Sequence, residues 1–117
     1  MKVIIAGSRY FNDYTLLCKY CDFLLQSQTD IEIVSGTARG ADQLGEKYAT
    51  ERGYKITRFP ADWDKLGKSA GYIRNEEMAK YADSLIAFWD GNSKGTEHMI
   101  NLATKYKLNI RVCNYTK

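Results

Sequence analysis

Three short segments of the chain combine glycine, a hydroxyl side chain and a cation, the residue types that bind phosphate groups. They are Gly7-Ser8-Arg9, the run SGTARGAD at 35–42, and the run DGNSKGTE at 90–97. Glycine lets a ligand approach the backbone closely, and an arginine guanidinium presents paired donors to phosphate oxygens. Together the segments predict an anion-binding site, although each one alone also fits an ordinary turn.

The second and third segments each lead into a predicted helix, which favours phosphate binding over a simple turn. The first amides of a helix have no partner within the helix, and the positive end of the helix dipole attracts anions. We expect the backbone amides of Gly36, Thr37 and Gly95 to hold phosphate groups. Arg9 and Arg39 are expected to neutralise the phosphate charge.

Polar side chains near these amides are expected to contact the rest of the ligand. Asp90 or Ser93 is expected to bind ribose hydroxyls, whereas Asp42 is expected to cap or orient its loop. Arg74 is within reach of the same crevice, although composition alone favours a solvated helix face. His98, the single histidine, is predicted to be a plain surface residue. The complete predicted ligand-binding set is Gly7, Ser8, Arg9, Ser35, Gly36, Thr37, Arg39, Gly40, Asp42, Arg74, Asn75, Asp90, Gly91, Ser93, Gly95 and Thr96.

Several patterns that indicate other chemistry are missing or incomplete. No GxGxxG follows the first strand, so the fingerprint of NAD-dependent dehydrogenases is absent. Gly67-Lys68-Ser69 imitates the end of a phosphate-binding P-loop, but Asp62 replaces the earlier glycine of that motif. Cys18 and Cys21 form a CxxC inside a helical pattern without a second pair, which indicates buried thiols. We therefore expect neither a cofactor nor a metal ion.

The composition is that of a small globular domain. Its 117 residues suit one domain over 1–117, with 44% apolar and 26% charged residues. The net charge of +3 permits an anionic ligand but argues against nucleic acid as a partner. We expect no signal peptide and no membrane contact, and the three cysteines are typical of a reducing cytoplasm. Some of the nine tyrosines and two tryptophans are expected to line a site or a subunit interface, and a homo-oligomer is expected.

Strand and helix patterns alternate along the whole chain. The predicted strands are the short apolar or β-branched runs at 2–6, 31–34, 55–59, 84–89 and 109–113. The predicted helices are the runs with helical apolar spacing at 14–28, 41–52, 70–82 and 96–106. A polar loop is predicted at 61–68. This alternation predicts a parallel sheet covered by helices on both faces, with ligands at the carboxyl ends of the strands.

The ends and faces of the helices are predicted from single residues. Asp13 and Thr96 are suitable N-caps, and Gly53 is a suitable stop after the second helix. In the third helix, the residues expected to face inward are Ile73, Met78 and Tyr81.

The motifs together resemble those of the SLOG superfamily, and the similarity spans nearly the whole chain. GSR after the first strand, SGTARGAD after the second, Arg74-Asn75 with Met78, and DGNSKGT after the fourth strand follow its pattern. SGTARGAD paired with the later DGxSxGT is more specific than either motif alone. The most similar branch is that of the small YspA-like, YpsA-related proteins, which has bacterial and phage members.

The resemblance implies a Rossmann-like three-layer α/β sandwich with five parallel strands in the order 3-2-1-4-5. It implies binding, and possible processing, of a nucleotide or nucleotide-derived small molecule. Relatives include LOG-type phosphoribohydrolases, which cleave nucleoside 5′-monophosphates, and DprA-like proteins, which bind single-stranded DNA. Many members form homodimers.

Hydrolysis and single-stranded nucleic-acid binding are the two alternatives that the resemblance leaves open. The hydrolase arginine and methionine match Arg74 and Met78, and its glycine-threonine matches Gly95-Thr96. The hydrolase acid lies three residues after that threonine, where this chain has Met99, so an enzyme would have to use Arg74 with Glu97 instead. A displacement of two residues turns a helical side chain by roughly 200°.

Overall fold

The computed structural model describes residues 1–116 and contains one five-stranded parallel sheet. The strands are β1 Lys2–Gly7, β2 Glu32–Ser35, β3 Lys55–Arg58, β4 Ser84–Trp89 and β5 Asn109–Asn114. The helices are α1 Tyr14–Leu25, α2 Ala41–Arg52, α3 Trp63–Leu66, α4 Ala70–Tyr81 and α5 Lys94–Lys105, and a 3₁₀ turn follows α3 at Gly67–Ser69. The strand order is β3-β2-β1-β4-β5, which confirms the predicted topology.

β1 lies at the centre of the sheet because its apolar residues are buried on both faces. It pairs with β2 through Lys2 opposite Glu32, and with β4 through Val3 opposite Ser84. Since strands buried on both faces carry continuous apolar runs, the sequence VIIA in β1 suits this position. The loops after β2 and β4 therefore flank the loop after β1.

Each face of the sheet has its own core, so the molecule has three layers. On one face, Val3 and Ile5 pack with buried residues of α1 and α2, including Leu17 and Tyr48. On the other face, Ile4 and Ala6 pack with buried residues of α4 and α5. Those residues are Met78, Ala79, Met99 and Ala103.

The predicted limits of α1 and α2 are confirmed at three of their four ends. The Asp13 carboxylate accepts a hydrogen bond from the amide of Leu16, as an N-cap does. Gly53 is left-handed, with φ of 73°, and ends α2. α1 stops at Leu25, three residues before the predicted end. Residues 26–28 are exposed and give the helix no apolar contact with the core.

Three structural predictions for the second half of the chain are wrong. The predicted loop at 61–68 contains α3, whose N-cap Asp62 accepts from the amide of Lys65. α5 begins at Lys94 because the Ser93 hydroxyl is the cap, so the predicted cap Thr96 is a buried first-turn residue. Ile73 is 40% exposed, since α4 turns Asn75 inward instead.

The three cysteines carry free thiols, and Cys21 is buried in the core. Burial raises the pKa of the Cys21 thiol well above its ordinary value. Within residues 1–116, no group of side chains is arranged to hold a metal ion. None of the helices in that range has both the length and the apolar character needed to span a bilayer.

Candidate functional site

A cavity of about 980 Å³ opens at the carboxyl ends of β1 and β4. The loops after these strands form part of its wall, and the start of α2 and the first turns of α4 and α5 complete it. Eleven residues of the predicted ligand-binding set line it. They are Gly7, Ser8, Arg9, Arg39, Asp42, Arg74, Asn75, Asp90, Ser93, Gly95 and Thr96. The other five, Ser35, Gly36, Thr37, Gly40 and Gly91, do not line the cavity.

Ser8 presents a buried hydroxyl without a partner to this cavity. The residue is 1% exposed, and its Oγ is the one buried side-chain polar atom among residues 1–116 that makes no hydrogen bond. Its backbone is held firmly, since its amide donates to the carbonyl of Phe88 at 3.1 Å and its carbonyl accepts from the amide of Phe11 at 3.2 Å. The backbone of Ser8 is therefore fixed, and its hydroxyl, near the Asp90 carboxylate, makes no hydrogen bond of ordinary geometry.

The residues of the second segment that do not line the cavity shape the loop behind it. Ser35 Oγ donates to Glu46 at 2.6 Å and accepts from the amide of Thr37 at 3.1 Å. The Thr37 amide thus already has a partner within the protein, so a phosphate group there would have to replace the bond to Ser35. Gly40 has a φ of 74°, and a Cβ there would lie 2.5 Å from the carbonyl oxygen of Arg9.

Gly36 lies against two charges beside the cavity, the buried Asp42 and the half-buried Arg74. A Cβ at Gly36 would lie 2.8 Å from both Asp42 Oδ2 and Arg74 Nη1, so a larger residue would displace the ends of both side chains. Asp42 accepts from the amide of Ala38 at 3.1 Å, which is the loop-orienting role predicted for it. Burial raises the pKa of Asp42 to about 6, while the Ala38 amide and the Arg74 charge act in the opposite direction.

The Arg74 guanidinium is held on two sides and open on a third. Nη1 donates to the carbonyl of Gly36, and Nε donates to Asn75 Oδ1 at 3.0 Å. Burial lowers the pKa of Arg74 from its high ordinary value, and Asp42 opposes that shift. Asn75, itself buried, fixes the guanidinium at the cavity wall.

The third segment forms a tight turn at 90–93, which places the first turn of α5 at the cavity. Asp90 Oδ1 accepts from the amides of Asn92 and Ser93, each at 2.8 Å, and these bonds hold the pKa of Asp90 below its usual value. Ser93 caps the helix. Gly95 has no atom within 4 Å of the place where a Cβ would be, so its backbone is accessible from the cavity side.

The cavity wall is strongly cationic and partly aromatic. Five cations line it against two carboxylates, Asp42 and Asp90. The cations are Arg9, Arg39, Lys68, Arg74 and Lys94. Three exposed aromatic residues complete the lining: Tyr10, Trp63 and Tyr72 are 90%, 59% and 52% exposed.

The predicted ligand-binding set did not include Lys68, Lys94 or the three aromatic residues, although Lys94 is the cation of the third segment. The one sequence pattern that includes Lys68 is Gly67-Lys68-Ser69, which is rejected as a P-loop because Asp62 replaces the earlier glycine. The segment nevertheless brings Lys68 to the cavity through the 3₁₀ turn. No local pattern marked the aromatic residues.

The cavity has no carboxylate at the position expected for a LOG-type hydrolase. Met99 lines the cavity at that place and is buried, whereas Glu97 is exposed and lies outside the lining. The two carboxylates that do line it take part in loop hydrogen bonds. The geometry therefore gives no support to Glu97 as a catalytic acid.

His98 is not a plain surface residue, which corrects the prediction for it. It is half-buried, and its Nδ1 lies 3.2 Å from the side-chain nitrogen Nδ2 of Asn75. Its ring packs edge-on against Tyr72, with 4.5 Å between the ring centroids. Burial lowers the pKa of His98. His98 therefore positions Asn75, which in turn holds Arg74.

Comparison with known proteins agrees with the motif resemblance. Residues 1–66 match the model of the YAcAr family, described as the YspA, cpYpsA-related SLOG family. The Gene 61 protein of Mycobacterium phage D29 is 38% identical over 111 residues, which cover 89% of this chain and 89% of that protein.

Two solved structures of DNA processing protein A share the fold. The chain superposes on DprA of Streptococcus pneumoniae with a TM-score of 0.75 at 19% identity, over 95% of this chain and 49% of that one. It superposes on DNA processing protein A of Helicobacter pylori with a TM-score of 0.63 at 22% identity, over 96% of this chain and 64% of that one. The chain thus spans about half to under two thirds of the length of these proteins.

These neighbours contradict the prediction that disfavoured a nucleic-acid partner. Both are DNA processing proteins, and the one from H. pylori binds single-stranded DNA. The prediction relied on the net charge of +3, which averages the whole chain. It could not register that five cations meet at one cavity.

Proposed function

Because the chain belongs to the YspA, cpYpsA-related SLOG family, we propose that its cavity binds the phosphate and sugar groups of a nucleotide-derived ligand or a nucleic acid. The observation that carries the proposal is the unpartnered hydroxyl of Ser8 within a wall of five cations. An unsatisfied buried polar group costs about 1–3 kcal/mol. A ligand oxygen hydrogen-bonded to Ser8 removes that cost.

Each part of the wall has a distinct task in this proposal. Arg9 and Arg39 supply mobile positive charge, since both are exposed at the cavity. Arg74 supplies a fixed charge, because Gly36 and Asn75 hold its guanidinium. The accessible backbone of Gly95, in the first turn of α5, adds the positive end of a helix. The ligand is thus an anion with sugar or phosphate oxygens.

Calorimetric titration with AMP, ADP-ribose, NAD, a cyclic mononucleotide and a short oligonucleotide tests the proposal. Arg39→Ala should weaken the binding of the cognate compound roughly tenfold, the value of one charge-assisted hydrogen bond. Arg111→Ala is the matched control, since Arg111 is an exposed arginine on β5 outside the cavity. Equal affinities for the two variants would show that the ligand binds elsewhere.

Single-stranded DNA is the second candidate ligand, and the aromatic rim favours it. Tyr10 is 90% exposed beside the cations, and bases stack on such side chains in proteins that bind single strands. The cavity volume of about 980 Å³ is at the upper end for small-molecule sites. The structural similarity to a DNA processing protein that binds single-stranded DNA supports the same candidate.

Fluorescence anisotropy with labelled oligothymidylates of increasing length separates the two candidates. If single-stranded DNA is the ligand, the affinity should rise from the mononucleotide to several nucleotides and exceed that of every free nucleotide. Tyr10→Ala should then weaken binding of the oligonucleotide. An affinity that is independent of length would assign the cavity to a free nucleotide.

A further inference from the structure

The segment from Trp63 to Ser69 contributes to the cavity without contributing to the core. None of the residues in α3 or in the 3₁₀ turn is buried. Two of them, Trp63 and Lys68, nevertheless line the cavity. A large aromatic side chain left 59% exposed on such a segment gains little from the fold.

Gly71 makes room for the Trp63 ring at the start of α4. A Cβ at Gly71 would lie 3.3 Å from Cη2 and 3.9 Å from Cζ2 of the indole, and 3.7 Å from Arg74 Nη2. Gly71 is an ordinary helical residue without positive φ, so its lack of a side chain serves packing and not backbone conformation. The edge of the indole and Arg74 Nη2 therefore approach the same point of α4, at Gly71.

This arrangement puts an aromatic surface next to a fixed cation that has one free nitrogen. Arg74 Nε and Nη1 are occupied by Asn75 and Gly36, which leaves Nη2 on the side shared with Trp63. Tyr72 extends the aromatic surface, with its ring packed edge-on against His98. A ligand in this part of the cavity would contact both an aromatic ring and the Arg74 guanidinium.

We propose that Trp63 is a stacking residue for an aromatic base, and that the ligand is recognised at both its base and its phosphate. This inference rests on the proposed function and adds that a sugar phosphate without a base is a poor ligand. Base stacking on an aromatic side chain corresponds to roughly 5- to 150-fold in affinity. Lys68, on the same segment, lies at the cavity with the ring and neutralises the anion.

The test compares Trp63→Ala with the wild type on two matched pairs of probes. One pair is AMP and ribose 5-phosphate, and the other is tetrathymidylate and its abasic counterpart. Trp63→Ala should weaken binding of the base-containing member of a pair about 5- to 150-fold and leave its base-free partner unchanged. Trp63→Phe should restore most of the loss. Phe23→Ala, at an exposed aromatic residue outside the cavity, should have no effect.

The outcomes separate this inference from the proposed function. If the wild type binds a base-containing probe and Trp63→Ala binds it equally well, the stacking role is overturned and the function stands. An equal loss for both members of a pair also overturns it, because the ring would then only shape the cavity. If neither these four probes nor any compound of the calorimetric panel binds the wild type, the proposed function fails together with the inference. Quenching of tryptophan emission by the probe in the wild type, lost in Trp63→Phe, supports stacking independently.

Discussion

Ser8 and Ser35 lie beneath the same loops and are equally buried, but only one of their hydroxyls has partners within the protein. Ser35 Oγ bonds with Glu46 and the amide of Thr37, whereas Ser8 Oγ makes no hydrogen bond of ordinary geometry and has only the Asp90 carboxylate nearby. Removal of a hydroxyl that lacks a partner relieves a desolvation cost, and removal of a bonded one creates such a cost. Under the proposed function, Ser8 therefore serves ligand binding and Ser35 serves folding.

Ser8→Ala should leave the melting temperature of the free protein unchanged or higher, and should weaken ligand binding by about 1.5–3 kcal/mol if the hydroxyl bonds a charged phosphate. Ser35→Ala should lower the melting temperature without ligand. Thermal unfolding with and without the cognate compound measures both effects. A clear destabilisation of the free protein by Ser8→Ala would mean that its hydroxyl has a partner in solution.

Asp42 should make the stability of the protein depend on pH. Burial raises its folded pKa to about 6 from an ordinary value of 3.8, so between these values the folded state holds a proton that the unfolded state releases. Stability conferred by Asp42 therefore falls as the pH rises from about 4 to about 6. Across this range the free energy of unfolding should fall by about 3 kcal/mol, and this fall should be absent in Asp42→Asn. Urea denaturation of both proteins across this range measures the difference, and parallel profiles would contradict it.

At the scale of elements, two glycines with positive φ differ in backbone conformation and in what surrounds them. Gly53 is left-handed, with φ of 73° and ψ of 24°, whereas Gly40 has φ of 74° and ψ of −124°, and a side chain at either position strains the backbone. Gly53 has open space where a Cβ would lie, whereas Gly40 faces the carbonyl oxygens of Ser8 and Arg9. Gly40 thus joins the loop after β1 to the start of α2.

Gly53→Ala should destabilise the protein by about 1 kcal/mol, the cost of the left-handed conformation alone. Gly40→Ala should cost several times more, because its backbone conformation is less accessible to alanine and the two loops must also separate. Urea denaturation gives both values, with Gly53→Ala as the matched control. Similar costs at the two positions would show that the loops adjust freely, and would remove Gly40 as the link between them.

The elements that the sequence predicted well are those specified by local signals. Alternating patterns located all five strands and four helices, and the capping residues Asp13 and Gly53 marked true helix ends. α3 was missed because four exposed residues have no apolar periodicity. The glycine-rich loops predicted one part of the candidate site. Trp63 was missed because its place at the cavity depends on a tertiary contact with Gly71, which no local sequence pattern indicates.

For the whole molecule, the position of its charges matters more than their sum. The net charge is +3, while five cations and two carboxylates line a single cavity. A phosphodiester chain that binds there releases counterions, so its affinity should fall with salt concentration.

With single-stranded DNA as the ligand, Lys94→Gln should reduce the steepness of the salt dependence by about 0.7, the value for one phosphate contact. Lys80→Gln is the control, because Lys80 is exposed on α4 outside the cavity. Anisotropy titrations at several salt concentrations give both slopes. Equal slopes for the two variants would mean that Lys94 does not contact a phosphate group.

The central position of β1 also determines when the cavity can come into existence. β1 is synthesised early, but the cavity wall around Ser8 also needs β4 and the first turn of α5. These elements follow about eighty to ninety residues later in the chain. A nascent chain that has emerged only as far as α4 can pair β1 with β2 and β2 with β3, yet it lacks the part of the cavity wall that β4 and α5 supply. During translation, a ligand of the cavity would therefore stabilise only chains that include β4 and α5. A chain arrested before β4 would gain no stability from the ligand at any concentration.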